Sequence, residues 1–156
     1  SRGTETNWQY AYRFKKGEIG FSALTSYVLS TVSETHQYNN ASQGRQLIYT
    51  PRYAANGSFR VVYRHSSVVW LAQYNGYRFV TSDNSQWLEP YHLSSLRFNQ
   101  AFESTRMHFV LYAACNNVFN RSYTVMTARP MPLRHFELGI SVITKKIKSK
   151  TNKIQP

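Results

Sequence analysis

From Trp8 the chain alternates between large apolar and smaller or polar side chains. In "WQYAYRF", Trp8, Tyr10, Tyr12 and Phe14 share one parity, and Gln9, Ala11 and Arg13 share the other. Successive side chains of a strand point to opposite faces, so a period of two predicts a strand with one apolar face. After "KKGE" the pattern resumes with Ile19, Phe21, Ala23, Tyr27 and Leu29 against Gly20, Ser22 and Ser26, with Leu24 and Val28 interrupting it. A third strand is predicted from about Leu47 to Arg64, with Phe59, Val61 and Tyr63 on one face and Pro51 at a bulge or edge near its start. A fourth spans 68–80. A fifth lies in "YHLSSLRFNQAF", where Leu96, Phe98 and Phe102 are in phase, and a sixth in "MHFVLYAACNN", with Phe109, Leu111, Ala113 and Cys115 together. The seventh is "HFELGISVI", in which Phe136, Leu138, Ile140 and Val142 alternate with His135, Glu137, Gly139 and Ser141.

The connections alternate as well. "KKGE", "HSS" and "ESTR" are short turns, whereas residues 33–46, residues 81–90 and the stretch around "TARPMP" read as longer polar loops. Strands joined short, long, short, long place all the short turns at one end of an antiparallel sheet. Outer-membrane barrels have this asymmetry, with short turns on the periplasmic side. Soluble sandwiches and lipocalin-like barrels alternate too. An odd strand number leaves two exposed edges, which lipid does not tolerate. The expected fold class is therefore all-β, an antiparallel transmembrane β-barrel segment of about seven strands belonging to a larger barrel.

Composition narrows this further. Twelve Tyr, nine Phe and three Trp make 15% of the chain aromatic. Trp8, Tyr77, Phe79, Tyr91, Phe119 and Tyr123 fall near predicted strand ends, where rings settle at a water–hydrocarbon boundary. No long apolar run predicts a transmembrane helix, but barrel strands never give that signal. The formal net charge is +12, and five of the 19 basic residues (Lys145, Lys146, Lys148, Lys150 and Lys153) lie in the final stretch. Such charge suits nucleic acid, an anionic lipid surface or an anionic ligand. Nucleic acid is not expected, because the basic residues are scattered and the aromatics follow strand parity instead of forming a stacking face.

Little in the sequence reads as catalysis. His36, His65, His92, His108 and His135 show no metal-ligand spacing, so no metal and no cofactor is expected. Glu103 and Glu137 form no evident acid–base pair, there is no nucleophile elbow, and no catalytic residue is assigned. The single Cys115 reads as a small apolar residue facing lipid. Asn-x-Ser occurs at Asn40, Asn56 and Asn120 and reads as chance. Asn116, Asn117 and Asn120 are expected to fix a strand end by side-chain-to-backbone bonds.

The segment "LYAACNNVFNRSYTV", followed by "RPMPLRHFELGISV", resembles the C-terminal end of TonB-dependent outer-membrane receptors. The family's Asn-Asn-x-Phe-Asn-x-x-Tyr-like pattern matches Asn116, Asn117, Phe119, Asn120 and Tyr123. Its Pro-x-Pro-Gly-Arg-like loop matches Pro130, Met131, Pro132, Leu133 and Arg134, with Leu133 where the family usually has glycine. "GRQLIYTPRY" and "YNGYRFVTSDNSQWLEPYHL" also look like the family, so the resemblance covers about residues 44–143. It implies a barrel of about twenty-two strands closed around a plug. Residues 1–143 would be its C-terminal part and 144–156 a basic, disordered tail. The last strand, with Phe136, Leu138, Ile140 and Val142, would close the barrel and serve as the assembly signal. Here the chain continues past that strand as "TKKIKSKTNKIQP" instead of stopping on an aromatic.

The resemblance further implies a bacterial outer-membrane location and import of an iron or cobalt chelate of the siderophore, haem or cobalamin class. Partners would be outer-membrane lipid, the barrel-assembly machinery, and the TonB energy-coupling complex acting through a plug not in this sequence. Rings and guanidinium groups in the outer loops suit a bulky anionic chelate, which singles out Tyr38, Arg78, Trp87 and Arg129. The rival reading is a soluble β-sandwich or lipocalin-like module that binds an anionic ligand.

Overall fold

The computed structural model describes residues 1–33 and 42–144. Every regular element among them is a strand. In chain order these are β1 (Arg2–Phe14), β2 (Gly17–Leu29), β3 (Tyr53–Tyr63), β4 (Ser66–Asn75), β5 (Arg78–Phe79), β6 (Trp87–Leu88), β7 (Tyr91–Glu103), β8 (Met107–Asn116), β9 (Thr124–Met126), β10 (Arg129–Pro130) and β11 (His135–Thr144). Seven of them form one antiparallel sheet in the order β1-β2-β3-β4-β7-β8-β11, so each long strand lies beside the next in sequence. The pairs β5–β6 and β9–β10 are small ribbons within the long connections. The all-β antiparallel expectation therefore holds, as does the number of long strands.

The register explains why the alternation was so regular. One row of cross-strand neighbours runs Tyr12, Ile19, Val61, Val68, Phe98, Ala113, Leu138. The next runs Tyr10, Phe21, Phe59, Trp70, Leu96, Cys115, Phe136. Both cross all seven strands without a charged residue. Directly opposed apolar and aromatic side chains are the unit that stabilises a sheet face. The rings of Phe102 and Phe109 stack with centroids 5.0 Å apart, and those of Tyr27 and Tyr53 lie 4.9 Å apart. The opposite face is polar, and its central row runs Ala11, Gly20, Arg60, Val69, Arg97, Ala114, Glu137. It is stitched by side-chain bonds between Ser22 and Ser58 (2.8 Å), Asn99 and Ser67 (3.1 Å), and Arg13 and Glu18 (2.8 Å).

Neither face is covered. No hydrophobic side chain is buried among the described residues, and Phe136 and Leu138 are 74% and 83% exposed. The sheet does not close on itself, because β1 pairs only with β2 and β11 only with β8. Its strands are also sheared. The row that begins β2 at Gly17 passes through Ile140, beyond which β11 continues to Thr144, while β2 runs the other way to Leu29. Progressive stagger of this kind accompanies tilted strands.

Several boundaries differ from expectation. The third strand starts at Tyr53 instead of Leu47: Tyr49 adopts a positive φ of 57° and its N–H donates to Phe79 O (2.8 Å), so the chain turns before Pro51 and enters the sheet after it. The fourth stops at Asn75, although the N–H of Gly76 still donates to Tyr53 O (2.9 Å), and a Cβ at residue 76 would press on that same oxygen. Arg78 and Phe79 leave the sheet to pair with Leu88 and Trp87. The first strand reaches back to Arg2, through a polar stretch in which Thr6 and Thr25 hydroxyls bond across the pair (2.6 Å). The expected tail falls, apart from Thr144, outside the described residues. No helix of the structure is long and apolar enough to cross a membrane, which leaves strand crossing untouched.

Candidate functional site

The three short turns share one end of the sheet and the three long connections share the other. At the long end, six polar residues are buried among the described residues: Ser30, Ser42, Gln46, Arg78, Ser94 and Asn117. Buried polar groups need partners: Ser30 and Ser42 bond within the first connection, and others of the six tie together segments that are distant in sequence. Gln46, 2% exposed, donates its backbone N–H to Asn84 Oδ1 (2.9 Å), and Asn84 Nδ2 returns a bond to Gln46 O (2.9 Å). This fastens the first long connection to the second. Asn84 can do so because it sits in the left-handed region (φ 60°), where asparagine is tolerated.

Arg78 fastens the second connection to the third. It is 4% exposed, and its guanidinium donates to the carbonyls of Thr124 (3.0 Å), Val125 (3.4 Å) and Glu89 (3.4 Å). It also lies over the Tyr91 ring, 4.9 Å from the centroid, and that ring packs on Tyr123 at 4.8 Å. Burial raises the Tyr123 hydroxyl above its ordinary pKa. The third connection is folded by asparagines. Asn117, at φ 51°, accepts Arg121 N–H on Oδ1 (2.9 Å) and donates Nδ2 to Arg121 O (2.7 Å). Asn120 Oδ1 accepts Arg134 N–H (3.0 Å), and Asn116 Nδ2 donates to Glu137 Oε1 (2.7 Å). The expectation that these asparagines fix a strand end holds for Asn117 and Asn120, whereas Asn116 bonds a side chain. Ser94 ties this connection to the sheet: its carbonyl accepts Val118 N–H (2.8 Å), and its hydroxyl accepts Trp70 Nε1–H (2.6 Å).

The predicted ligand contacts separate on this frame. Arg78 is a loop anchor instead of an open contact, since it is buried and both of its terminal nitrogens are turned to backbone carbonyls beneath the surface. Trp87 is 55% exposed on β6, opposite Phe79, and Arg129 is exposed on β10 opposite Met126. Because β6 contacts β9, the two ribbons lie side by side. Tyr38 lies outside the described residues. The expected closure residues Phe136, Leu138, Ile140 and Val142 sit on β11 on the apolar face, along the free edge of the sheet. The sequence reading missed the Gln46–Asn84 and Trp70–Ser94 ties. The loop at residues 81–90 was legible, but nothing in the sequence paired it with residue 46.

Two further features bear on chemistry. Asp83 accepts bonds from Ser85 N–H (3.1 Å) and Ser85 Oγ–H (2.8 Å), and hydrogen bonds from Thr81 and Ser85 hold its carboxyl down to about 2. Among the described residues no group of three His, Cys, Asp or Glu side chains is placed to hold a metal ion. On the apolar face the small row Ala23, Gly57, Ala72, Ser94 forms an open dent of about 350 Å³ between Trp70, Tyr74 and Phe119.

No family model and no curated protein matches this sequence. Among solved structures, the chain is similar to the ferric preacinetobactin receptor BauA from Acinetobacter baumannii, with a TM-score of 0.62 at 11% identity. The match covers 90% of this chain and 26% of the receptor, so the chain spans about a quarter of the length of the protein it resembles. At that identity the likeness concerns the fold alone.

Proposed function

We propose that this chain is a wall segment of a bacterial outer-membrane β-barrel, the C-terminal part of a TonB-dependent receptor importing a metal chelate of the siderophore, haem or cobalamin class. The observation that carries the reading is the uncovered apolar face: two rows free of charge cross all seven strands. A self-contained soluble β-module buries such a face, and here no hydrophobic side chain is buried among the described residues. Hydrocarbon is the solvent this face suits. Free edges at β1 and β11 support a larger closed assembly, because each unpaired backbone group left in lipid costs several kcal/mol.

In this reading the polar face lines the lumen, the short turns face the periplasm and the tied long connections face outward. Trp87 and Arg129 would offer a chelate an aromatic surface and a positive charge. The fold likeness to a ferric siderophore receptor supports the chelate class. The chain would be a channel wall rather than an enzyme. Energy would reach it through TonB and a plug outside this sequence, and the barrel-assembly machinery would read β11. The test is detergent dependence: the chain should stay monodisperse in detergent micelles and aggregate when detergent is withdrawn. A monodisperse monomer in detergent-free buffer would sink the proposal in favour of the soluble anion-binding module.

A further inference from the structure

The three short turns carry Lys15, Lys16, Arg64, His65 and Arg106, all exposed. The carboxylates at the adjoining strand ends are engaged by other side chains: Glu18 pairs with Arg13 (2.8 Å) and Glu103 with His108 (2.6 Å). Carboxylates of the loops among the described residues, Asp83 and Glu89, lie at the other end. The basic turns are also held together. Arg64 N–H donates to Lys16 O (2.8 Å), which joins the first turn to the second, and Ala101 N–H donates to His65 O (2.7 Å), which joins the second to β7. Cations from separate hairpins are thereby set along one rim. Directly above them stand the last rings of the apolar face: Phe14, Tyr63, and the stacked Phe102 and Phe109. The Arg64 guanidinium lies over the Tyr63 ring, 5.5 Å from its centroid. The end of β11 at Thr144 lies at this same end, and the sequence continues into five more lysines.

An aromatic boundary capped by fixed cations matches a lipid–water interface whose headgroups are negative. We infer that the short-turn rim binds the phosphates of anionic phospholipids in the leaflet it borders. This rests on the membrane reading above. The cations then stand at headgroup level, where each contributes about a fivefold preference for anionic over zwitterionic lipid. The rim would hold an annulus of such lipid against the wall and fix the depth of the sheet.

The test is spin-labelled lipid resonance on the full chain in phosphatidylcholine bilayers, doped with labelled phosphatidylglycerol or labelled phosphatidylcholine. The motionally restricted fraction should favour phosphatidylglycerol at least about fivefold at low salt. It should fall toward parity at about 1 M NaCl, where the screening length is about 3 Å. The variant carrying K15Q, K16Q, R64Q and R106Q keeps the tail lysines and should lose most of the preference, with the phosphatidylcholine signal unchanged. Equal restriction of both lipids by the parent chain would overturn the inference and leave the membrane reading standing. Full preference retained by the variant would assign selectivity to the tail and overturn it as well. No restricted lipid of either kind would overturn the membrane reading along with it.

Discussion

A single arginine placed on either face of β7 separates hydrocarbon from water with one element. From His92 to Phe102 the strand advances about 34 Å at 3.4 Å per residue, which at a tilt of about 40° spans about 26 Å of membrane normal, close to the apolar belt of outer-membrane barrels. The midpoint of that span is Arg97, which points to the polar face, with Leu96 and Phe98 flanking it on the apolar face. On the proposed membrane reading, Phe98→Arg puts a guanidinium near the middle of the hydrocarbon and should cost ~2–4 kcal/mol, or about 30- to 1000-fold in the folding equilibrium. Asn99→Arg places the same charge one residue away on the face that already carries Arg60 and Arg97, and should cost less than about 1 kcal/mol. The assay is urea-dependent unfolding of the full chain from lipid vesicles, followed by tryptophan fluorescence and checked by heat-dependent gel mobility. Equal costs for the two variants would refute the reasoning, because depth is shared and only the face differs.

Other outcomes follow from packing at the edge and in the loops. The Tyr112 ring stands against Gly139 on the last strand pair, the Arg97 guanidinium lies over that ring 4.5 Å from its centroid, and a Cβ at residue 139 would enter the ring. Gly139→Ala should therefore destabilise by about 1–3 kcal/mol, and most of that cost should vanish in a Tyr112→Ala background, as a double-mutant cycle would read. Arg78→Ala removes three carbonyl ties and should cost about 2–3 kcal/mol locally, seen as faster amide exchange at residues 87–89 and 123–126 with the sheet unchanged. Asp83 has a folded pKa of about 2, depressed below its ordinary 3.8. Its contribution to the 81–86 loop is thus complete above about pH 4 and lost as pH falls through about 2, which protease nicking of that loop across pH should follow, and Asp83→Asn should flatten that profile.

The strands were legible because their two faces carry side chains of different polarity. Alternation at Tyr10, Tyr12 and Phe14, or at Phe136, Leu138 and Ile140, is a direct consequence of one face avoiding charge, and register then follows from the short turns. The start of β1 was not legible, since Thr4 and Thr6 give no hydrophobic contrast while their backbones still pair with β2. The run from Leu47 looked like strand because its composition is apolar, but a left-handed Tyr49 and a bond to Phe79 O redirect it. Arg78 illustrates the limit for site residues. Its type suits an anionic ligand, and only the carbonyls of Thr124 and Val125, distant in sequence, convert it to an anchor. Cross-loop ties of this kind leave no periodic trace.

The central claim is that one face of this sheet meets hydrocarbon and the other meets water. A nitroxide scan along residues 93–100 of β7 tests it, with the lone Cys115 replaced so that labelling is unique. In lipid vesicles, oxygen accessibility should peak at 96, 98 and 100, and accessibility to a water-soluble nickel chelate should peak at 95, 97 and 99, in strict alternation, with position 94 low to both because Ser94 is buried. Low accessibility to both probes at 96 and 98, as in a packed interior, would contradict the account.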